Sequence, residues 1–469
     1  MFNNTNVTYL SSFLDKNPST LFHDPSKVKF IKKRLGYSDS NAKRSTVNRY
    51  FVALEVKRLV HLLTLKEDRE RMLVYNRADG VWVDAIPVLS RLILEVIHAI
   101  PEAKDNDIWS KQLEQSVIDI LLRKVRIETI DRFNKDHFAF SNLTYDFSKQ
   151  VALTHQPTFL TTYSSPVTYD EASACPKFMS MLDTLFHEQD TKDFVQEWFG
   201  YCLSTSHKAN AFVIGVGKGS NGKSTLFDVL TKIVGMHNVS SAPLSNLNTT
   251  FGLEPILGKK LNIATESSTE SFTTAKLKAI TAGEAVTVNR KNKPEITTVI
   301  DAKLVFLVNE LPLLSDTSHG LVRRLIILPF NQTIPAEKQD KGLSKALEQE
   351  LSGILNWSLS GFERLVRNNY TFTESSEMLS AKNRYIENAN PVESFIEAHI
   401  IQDIGNRLDS SKVLTKYVNW MYTQGLPLKG TGSPQIFWMK FKESMDTVGI
   451  HFTKSKSNGQ SVVRDIGFQ

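Results

Sequence analysis

Cysteine is nearly absent: Cys175 and Cys202 are the only two in 469 residues. They form no close pair, which excludes a disulfide scaffold, a zinc ribbon and a Cys-x-x-Cys redox site. Two reduced, buried thiols are expected instead. Histidine is scattered as well. His187-Glu188 is followed by no second histidine at helical spacing, so a zinc-protease site is excluded. No uninterrupted apolar run approaches the length of a bilayer span, and the N-terminus MFNNTNVTYL has neither a basic n-region nor an apolar h-region. A cytoplasmic protein without need of a membrane is the expectation.

What is present is ordinary in bulk, with 41% hydrophobic and 23% charged residues. The length exceeds one hydrophobic core and predicts two to four domains. The net charge of +6 is unevenly placed. From Asn406 onward nine basic residues face four acidic ones, so the last segment carries nearly the whole excess. A basic segment suits nucleic acid.

Four regions follow from the pattern. Residues 1–165 read as a mixed, mainly helical domain, with a helix over 43–65 and two more between 85 and 127. MLVYNRADGVWVDA predicts two short strands around an Asp-Gly turn, and FAFSNLTYDFSKQVALTH predicts another small hairpin. After Tyr163, SSPVTYDEASACPKF reads as a linker. Residues 166–345 form the core, where strands and helices alternate from AFVIGV to Phe330, the mark of a parallel α/β sheet. Residues 346–390 are a helical linker or lid, with Leu347, Leu351, Ile354, Leu355 and Leu359 on one stripe. Residues 391–469 are a separate small module.

The sharpest motif is Gly217-Lys218-Gly219-Ser220-Asn221-Gly222-Lys223-Ser224, followed by Thr225, a full match to G-x-x-x-x-G-K-[ST]. An apolar strand precedes it and an amphipathic helix follows. Glycines let backbone N–H groups turn onto phosphate oxygens at a helix N-terminus. Lys223 is expected on the β- and γ-phosphates of ATP, and Ser224 on Mg²⁺. Gly217, Gly219 and Gly222 also satisfy G-x-G-x-x-G, but that fingerprint wants an acid about 20 residues on. None stands between Ser241 and Asn246.

Hydrolysis needs a carboxylate at a strand end. KLNIATE supplies one in Glu266; the usual acidic pair is lacking, with Glu270 the nearest helper. AKLVFLVN ends at Asn309, an amide able to orient water, although an Asn before a proline-containing loop also simply forms turns. Arg323 and Arg324 precede a strand and read as an arginine finger from a neighbouring subunit or as plain surface charge. EAVTVNRKNKPEITTV has β-rich arms around a basic tip, Arg290, Lys291, Asn292 and Lys293, suited to a strand's phosphates. In isolation a solvated turn looks the same.

In this order the motifs resemble the superfamily 3 helicase domain of phage, plasmid and poxvirus primase–helicases. FGYCLSTSHKANAFVIGVGKGSNGKST, KLNIATES, LKAITAGEAVTVNRKNKP, LVFLVNELP and HGLVRRLIILPF carry the resemblance, which covers most of residues 70–365. Within that family the chain looks most similar to self-loading replication initiators of staphylococcal pathogenicity islands. The resemblance implies an AAA+ type P-loop ATPase core and a homo-hexameric ring with ATP between subunits and DNA in its channel. Lys223 and Ser224 would then hold nucleotide, Glu266 would be the Walker B acid, Asn309 the sensor, and Arg323 or Arg324 the finger. Residues 290–293 would tip the channel hairpin. No N-terminal primase-like acidic pair is visible, and Ala282-Gly283-Glu284 stands where relatives often have Gly-Gly-Asp.

The tail predicts three helices, the third capped by Ser433 with Pro434 at its first position, then a hairpin turning at Asn458-Gly459. This pattern reads as a winged helix. Lys440 and Lys442 would enter the groove of duplex DNA, such as a replication origin, with Lys454 and Lys456 in the wing. Such modules also dock proteins. The functional expectation is an ATP-dependent DNA helicase and replication initiator; the alternative is a nucleotide-switched DNA remodeller.

Overall fold

The computed structural model describes residues 9–14, 27–38, 46–105, 107–266, 274–312, 319–335, 337, 339–389, 391–424, 433–457 and 460–469. The architecture is multidomain α/β, and each layer follows from local sequence.

In the N-terminal part, helices α1 (Val28–Leu35), α2 (Arg49–Leu59), α3 (Ile86–His98), α4 (Pro101–Asp105) and α5 (Lys111–Lys124) share one buried cluster. They flank a sheet of β1 (Leu62–Leu65), β2 (Met72–Asn76), β3 (Val81–Asp84) and β4 (Arg126–Glu128), in the order β3-β2-β1-β4. The helix expected over 43–65 is shorter. Asn48 caps it, its side chain accepting the N–H groups of Tyr50 and Phe51. Val60 is extended, and Leu62–Leu65 pairs with β2 instead. An apolar run beside two open strand edges gains more as a strand than as a further helical turn. The second expected hairpin is a three-stranded meander, β5 (His137–Ala139), β6 (Thr144–Asp146) and β7 (Val151–Leu153).

The segment expected as a linker after Tyr163 is strapped down. Ser165 N–H donates to Ala139 O (2.8 Å), Glu350 accepts the N–H groups of Lys177 and Phe178, and Val167 and Cys175 are buried. Packing therefore runs continuously across residue 165, with Phe138 of the meander and Leu230 of the core in one cluster. Its prolines and small residues fit this because the contacts are made by backbone groups rather than by an apolar stripe.

The central sheet is built from β8 (Phe212–Val216), β9 (Val239–Ser240), β10 (Leu261–Glu266), β13 (Lys303–Val308) and β14 (Leu325–Pro329), all parallel, in the order β14-β8-β13-β10-β9. Burial on both faces explains their continuous apolar runs; every residue of β13 and β14 is buried. Helices α6 (Pro176–Leu185), α7 (Gln189–Leu203) and α8 (Lys223–Val234) cover the sheet, and α9 (Ala275–Ala282) leads into the hairpin β11 (Ala285–Arg290) and β12 (Lys293–Val299). The short α10 (His319–Val322) precedes β14. Helices α11 (Leu343–Gln349), α12 (Leu351–Arg367) and α13 (Ser376–Ala389) follow. Fully buried Glu197 of α7 is neutralised by Arg364 of α12 at 2.8 Å and also accepts from Thr373, so the two helices are tied by a satisfied ion pair.

The tail folds as α14 (Pro391–His399), β15 (Ile400–Asp409), α15 (Ser410–Thr423), α16 (Pro434–Val448), β16 (Thr453–Ser457) and β17 (Gln460–Phe468), with sheet order β15-β17-β16. Ser433 caps α16 by accepting the Ile436 N–H, with Pro434 at the first helical position. Strand β15 is an addition to the expected pattern. The Asn458-Gly459 turn lies outside the described residues. Among the described residues no helix is long and apolar enough to cross a membrane.

Candidate functional site

The glycine-rich loop joins the end of β8 to the start of α8, and its backbone explains its composition. Gly219 (φ 98°), Ser220 (φ 48°) and Gly222 (φ 77°) are left-handed. Such turns aim successive amides toward one concavity. Glycine takes this freely; for Ser220 it costs roughly 1 kcal/mol, strain of the kind held at functional sites. The N–H groups of Lys223, Ser224 and Thr225 sit in the first turn of α8, which has no intrahelical acceptors. Ser224 is exposed and Thr225 half-buried.

Lys223 is buried, and its ammonium donates to Val308 O (3.0 Å) and to Gly217 O; burial lowers its pKa. Asn221 is also buried, and its amide donates to Phe330 O (3.3 Å). It therefore braces the loop rather than offering a side chain to a ligand.

Register aligns the rest. Glu266, Val308 and Val216 lie side by side across β10, β13 and β8. Glu266 closes its strand two strand spacings, about 10 Å, from the loop. Residues 267–273, Glu270 among them, lie outside the described residues. Exposed Asn309 follows β13 between the two, and the Gly217 N–H donates to Val308 O (3.2 Å). The loop, Asn309 and the strand position of Glu266 thus share one end of the sheet.

Arg323 and Arg324 lie at the opposite end, because β14 runs parallel to β8. The length of β14, about 17 Å, separates them from the loop's level. They also differ from each other. Arg323 is exposed, whereas Arg324 is buried with Nη1 donating to Gly320 O.

In the β11–β12 hairpin Arg290 pairs with Lys293, and Asn292 takes φ 59° at the turn. Lys291, Asn292 and Lys293 are exposed, and Arg290 donates to Pro294 O. In the tail, Lys440 and Lys442 are two positions apart on α16, about 200° around it, so they do not share a face. Lys442 is exposed and Lys440 half-buried. Lys454 stacks 3.8 Å from the Trp438 ring centroid, and Lys456 is exposed.

Sequence reading misses a buried basic cluster. Lys260, just ahead of β10, and Lys303, which opens β13, are buried. Burial pulls Lys260 down to about 7 and Lys303 to about 8. The sequence holds no signal for this, since a lysine beside an apolar strand normally reaches water. The unfolded chain binds more protons than the folded one between about pH 7 and the ordinary lysine value of 10.5. The cost of burying Lys260 is thus full below that window and vanishes above it. Lys260→Met is expected to raise the melting temperature over wild type at about pH 6, by an amount that shrinks toward about pH 10. Melts of both proteins at the two pH values check this; a gain independent of pH would mean that the charge is not its source. Cys175 and Cys202 are free and buried.

Comparison with known proteins gives two family matches, the first of which runs across residue 165. Residues 57–187 match the family described as D5 N terminal like, and residues 215–324 match a family of unknown function, DUF5906. The second match takes in the glycine-rich loop, Glu266, Asn309 and the hairpin. Over 151 residues the chain is 24% identical to a protein of Acanthamoeba polyphaga mimivirus described as a putative helicase; the match covers 30% of this chain and 16% of that protein's length. Among solved structures, the A form apo structure of the NrS-1 C-terminal region covers 88% of this chain and 98% of its own, at 14% identity and a TM-score of 0.49. A second apo structure of that region covers 89% and 99%, with the same identity and score.

Proposed function

We propose that the chain is an ATP-dependent DNA helicase of the superfamily 3 class that works as a ring and starts replication at an origin. The observation that carries the reading is the row formed by the glycine-rich loop, Asn309 and Glu266 on one end of the sheet, with the basic hairpin leading back into the other. The sheet order, with β13 inserted between the loop strand and the Glu266 strand, supports an AAA+ type core. The two matched families, of the kind found in phage and viral primase–helicases, and the similarity to part of a protein described as a putative helicase support a replication-related DNA enzyme.

A phosphate chain fits the loop: a buried ammonium already donates to two carbonyl oxygens there, and unpaired amides of a helix start converge beside it. Lys223 and the loop amides would hold ATP, and Ser224 with Glu266 would hold Mg²⁺, whose charge offsets that on the transferred phosphoryl group. Asn309 would orient the attacking water. Exposed Arg323, at the far end of its own sheet, is the better candidate for a finger acting on a neighbouring subunit. Buried Arg324 is structural. A homo-hexamer, the ring common in the class, puts such a residue at each ATP.

Three helices and a three-stranded sheet in the basic tail support a winged helix that binds duplex DNA through Lys442 and Lys456, with Lys440 and Lys454 at its flanks. The test is a forked, labelled duplex incubated with protein and ATP. Release of the strand supports the helicase. DNA-stimulated ATP hydrolysis without release would favour a nucleotide-switched remodeller.

A further inference from the structure

The hairpin has two roots, and one side chain touches both. Gly283 ends α9 ahead of β11 in a left-handed conformation, φ 69°. The ring of His207 lies against it so closely that a Cβ there would meet His207 Cγ at 2.8 Å. Asp301 follows β12, and His207 Nε2 faces its Oδ1 at 3.6 Å, longer than a hydrogen bond; burial lowers the histidine's pKa, so the contact is one of facing polar groups rather than a fixed ion pair. The other carboxylate oxygen accepts the Tyr163 hydroxyl at 2.9 Å.

Around this contact the surroundings are buried and hydrogen-bonded. Tyr163 is buried, and its backbone carbonyl accepts the Ala139 N–H of the meander. Lys260 lies 5.1 Å from the Tyr163 ring centroid and donates to Ser204 O, three residues before His207. Lys303 sits 4.7 Å from the Tyr201 ring centroid. Burial works to raise the Asp301 pKa, but His207, the two buried lysines and Tyr163 outweigh it, and the group stays a carboxylate. The hairpin arms, by contrast, are exposed or half-buried; of their residues only Val288 is buried.

The strands bearing these residues also bear the nucleotide machinery. His207 precedes β8, whose other end is the glycine-rich loop, and Asp301 precedes β13, whose other end is Asn309. Strands of such length are stiff rods of about 17–20 Å at ~3.3 Å per residue. Adjacent strands β8 and β13 therefore connect the two ends of the sheet, and the His207–Asp301 contact bridges them at the hairpin end.

We propose that His207 is a positioning residue which, through Asp301 and Gly283, clamps the hairpin's root to the loop-bearing strand and passes strand displacement on to the DNA-holding tip. The inference rests on the motor reading above. A fixed root makes the tip follow the sheet; a loose root lets hydrolysis run while the tip slips.

The test compares wild type with His207→Ala, which removes the bridge, and His207→Gln, whose amide can still donate to Asp301. Basal ATPase, its stimulation by single-stranded DNA, forked-duplex release and thermal melting are measured on the full chain. His207→Ala is expected to keep basal turnover within about twofold while strand release per ATP falls by about tenfold, less than the ~100-fold that a misplacement of about 1 Å can cost at reacting groups. His207→Gln restores most of the loss. Tyr163→Phe, which removes one hydrogen bond and keeps the ring, is expected to uncouple partially.

Unwinding by His207→Ala at the wild-type yield per ATP would overturn the clamp. So would loss of basal turnover in proportion to unwinding, or failure of a folded His207→Gln to restore coupling. Should both histidine variants melt early, normal coupling in Tyr163→Phe would overturn it. Absence of ATP-driven release by the wild type itself refutes the motor reading, and the clamp with it, so the two failures are told apart.

Discussion

Lys223→Ala is expected to cut ATP turnover by about three orders of magnitude or more, the scale at which removal of a preorganised electrostatic partner registers in phosphoryl transfer. The lysine is buried between Gly217 O and Val308 O, so its charge is held in low dielectric and cannot be replaced by a mobile cation from solvent. Truncation relieves a desolvated charge but leaves the Gly217 and Val308 carbonyls without their donor, so melting is measured beside turnover. Duplex binding by the tail should persist, because the tail's core is its own. Steady-state hydrolysis and duplex titration on the same preparation check both parts. Loss of both activities in a protein that melts normally would contradict the separation.

Arg323→Ala is expected to lower turnover by roughly 10³-fold, the lower end of what a finger supplied in trans contributes. The arginine is exposed, so its removal should leave the melting temperature within experimental scatter. Mixing then becomes diagnostic. A finger in trans means that Arg323→Ala subunits and Lys223→Ala subunits, each inactive alone, regain part of the hydrolysis when combined. Arg324→Ala should behave differently, losing stability first, because its buried guanidinium fastens the short helix before β14 through Gly320 O. Equal kinetic loss with unchanged melting in both variants would remove the distinction drawn from burial and leave Arg324 as eligible as Arg323.

Much of the sheet was legible because its strands carry information in type as well as order. AFVIGV, KLVFLV and LIILP are apolar nearly throughout, as strands covered on both faces must be, and each lies beside a motif with fixed demands on backbone geometry. The hairpin was legible for the opposite reason: alternating arms around a polar tip need no tertiary partner to declare themselves. Strand β15 escaped because its burial pattern is mostly exposed, and a bulge between Gln402 and Arg407 interrupts its register with β17. Leu62–Leu65 escaped because so short an apolar run is compatible with either period, and only its neighbours β2 and β4 decide.

In the candidate site, motif spacing brought the loop, Glu266 and Asn309 together, but not what lies beneath them. Asn221 counts as a loop residue in the pattern and acts as a brace in the fold. Arg323 and Arg324 are neighbours in sequence and opposites in burial. The joining of Tyr163, His207 and Asp301 spans 138 residues between its outermost members, and no local pattern records it. Such contacts arise from topology: they exist because β13 returns to lie between strands that precede it.

The tail's hydrophobic cluster runs from Val392 to Ile466 and shares no member with the clusters of the central sheet. Its folding energy thus comes from its own residues, and a substitution there is not felt as a packing defect around the glycine-rich loop. Heredity can exploit that separation. A lineage could acquire a different tail by recombination near residue 390 and leave the packing of the central sheet unaltered.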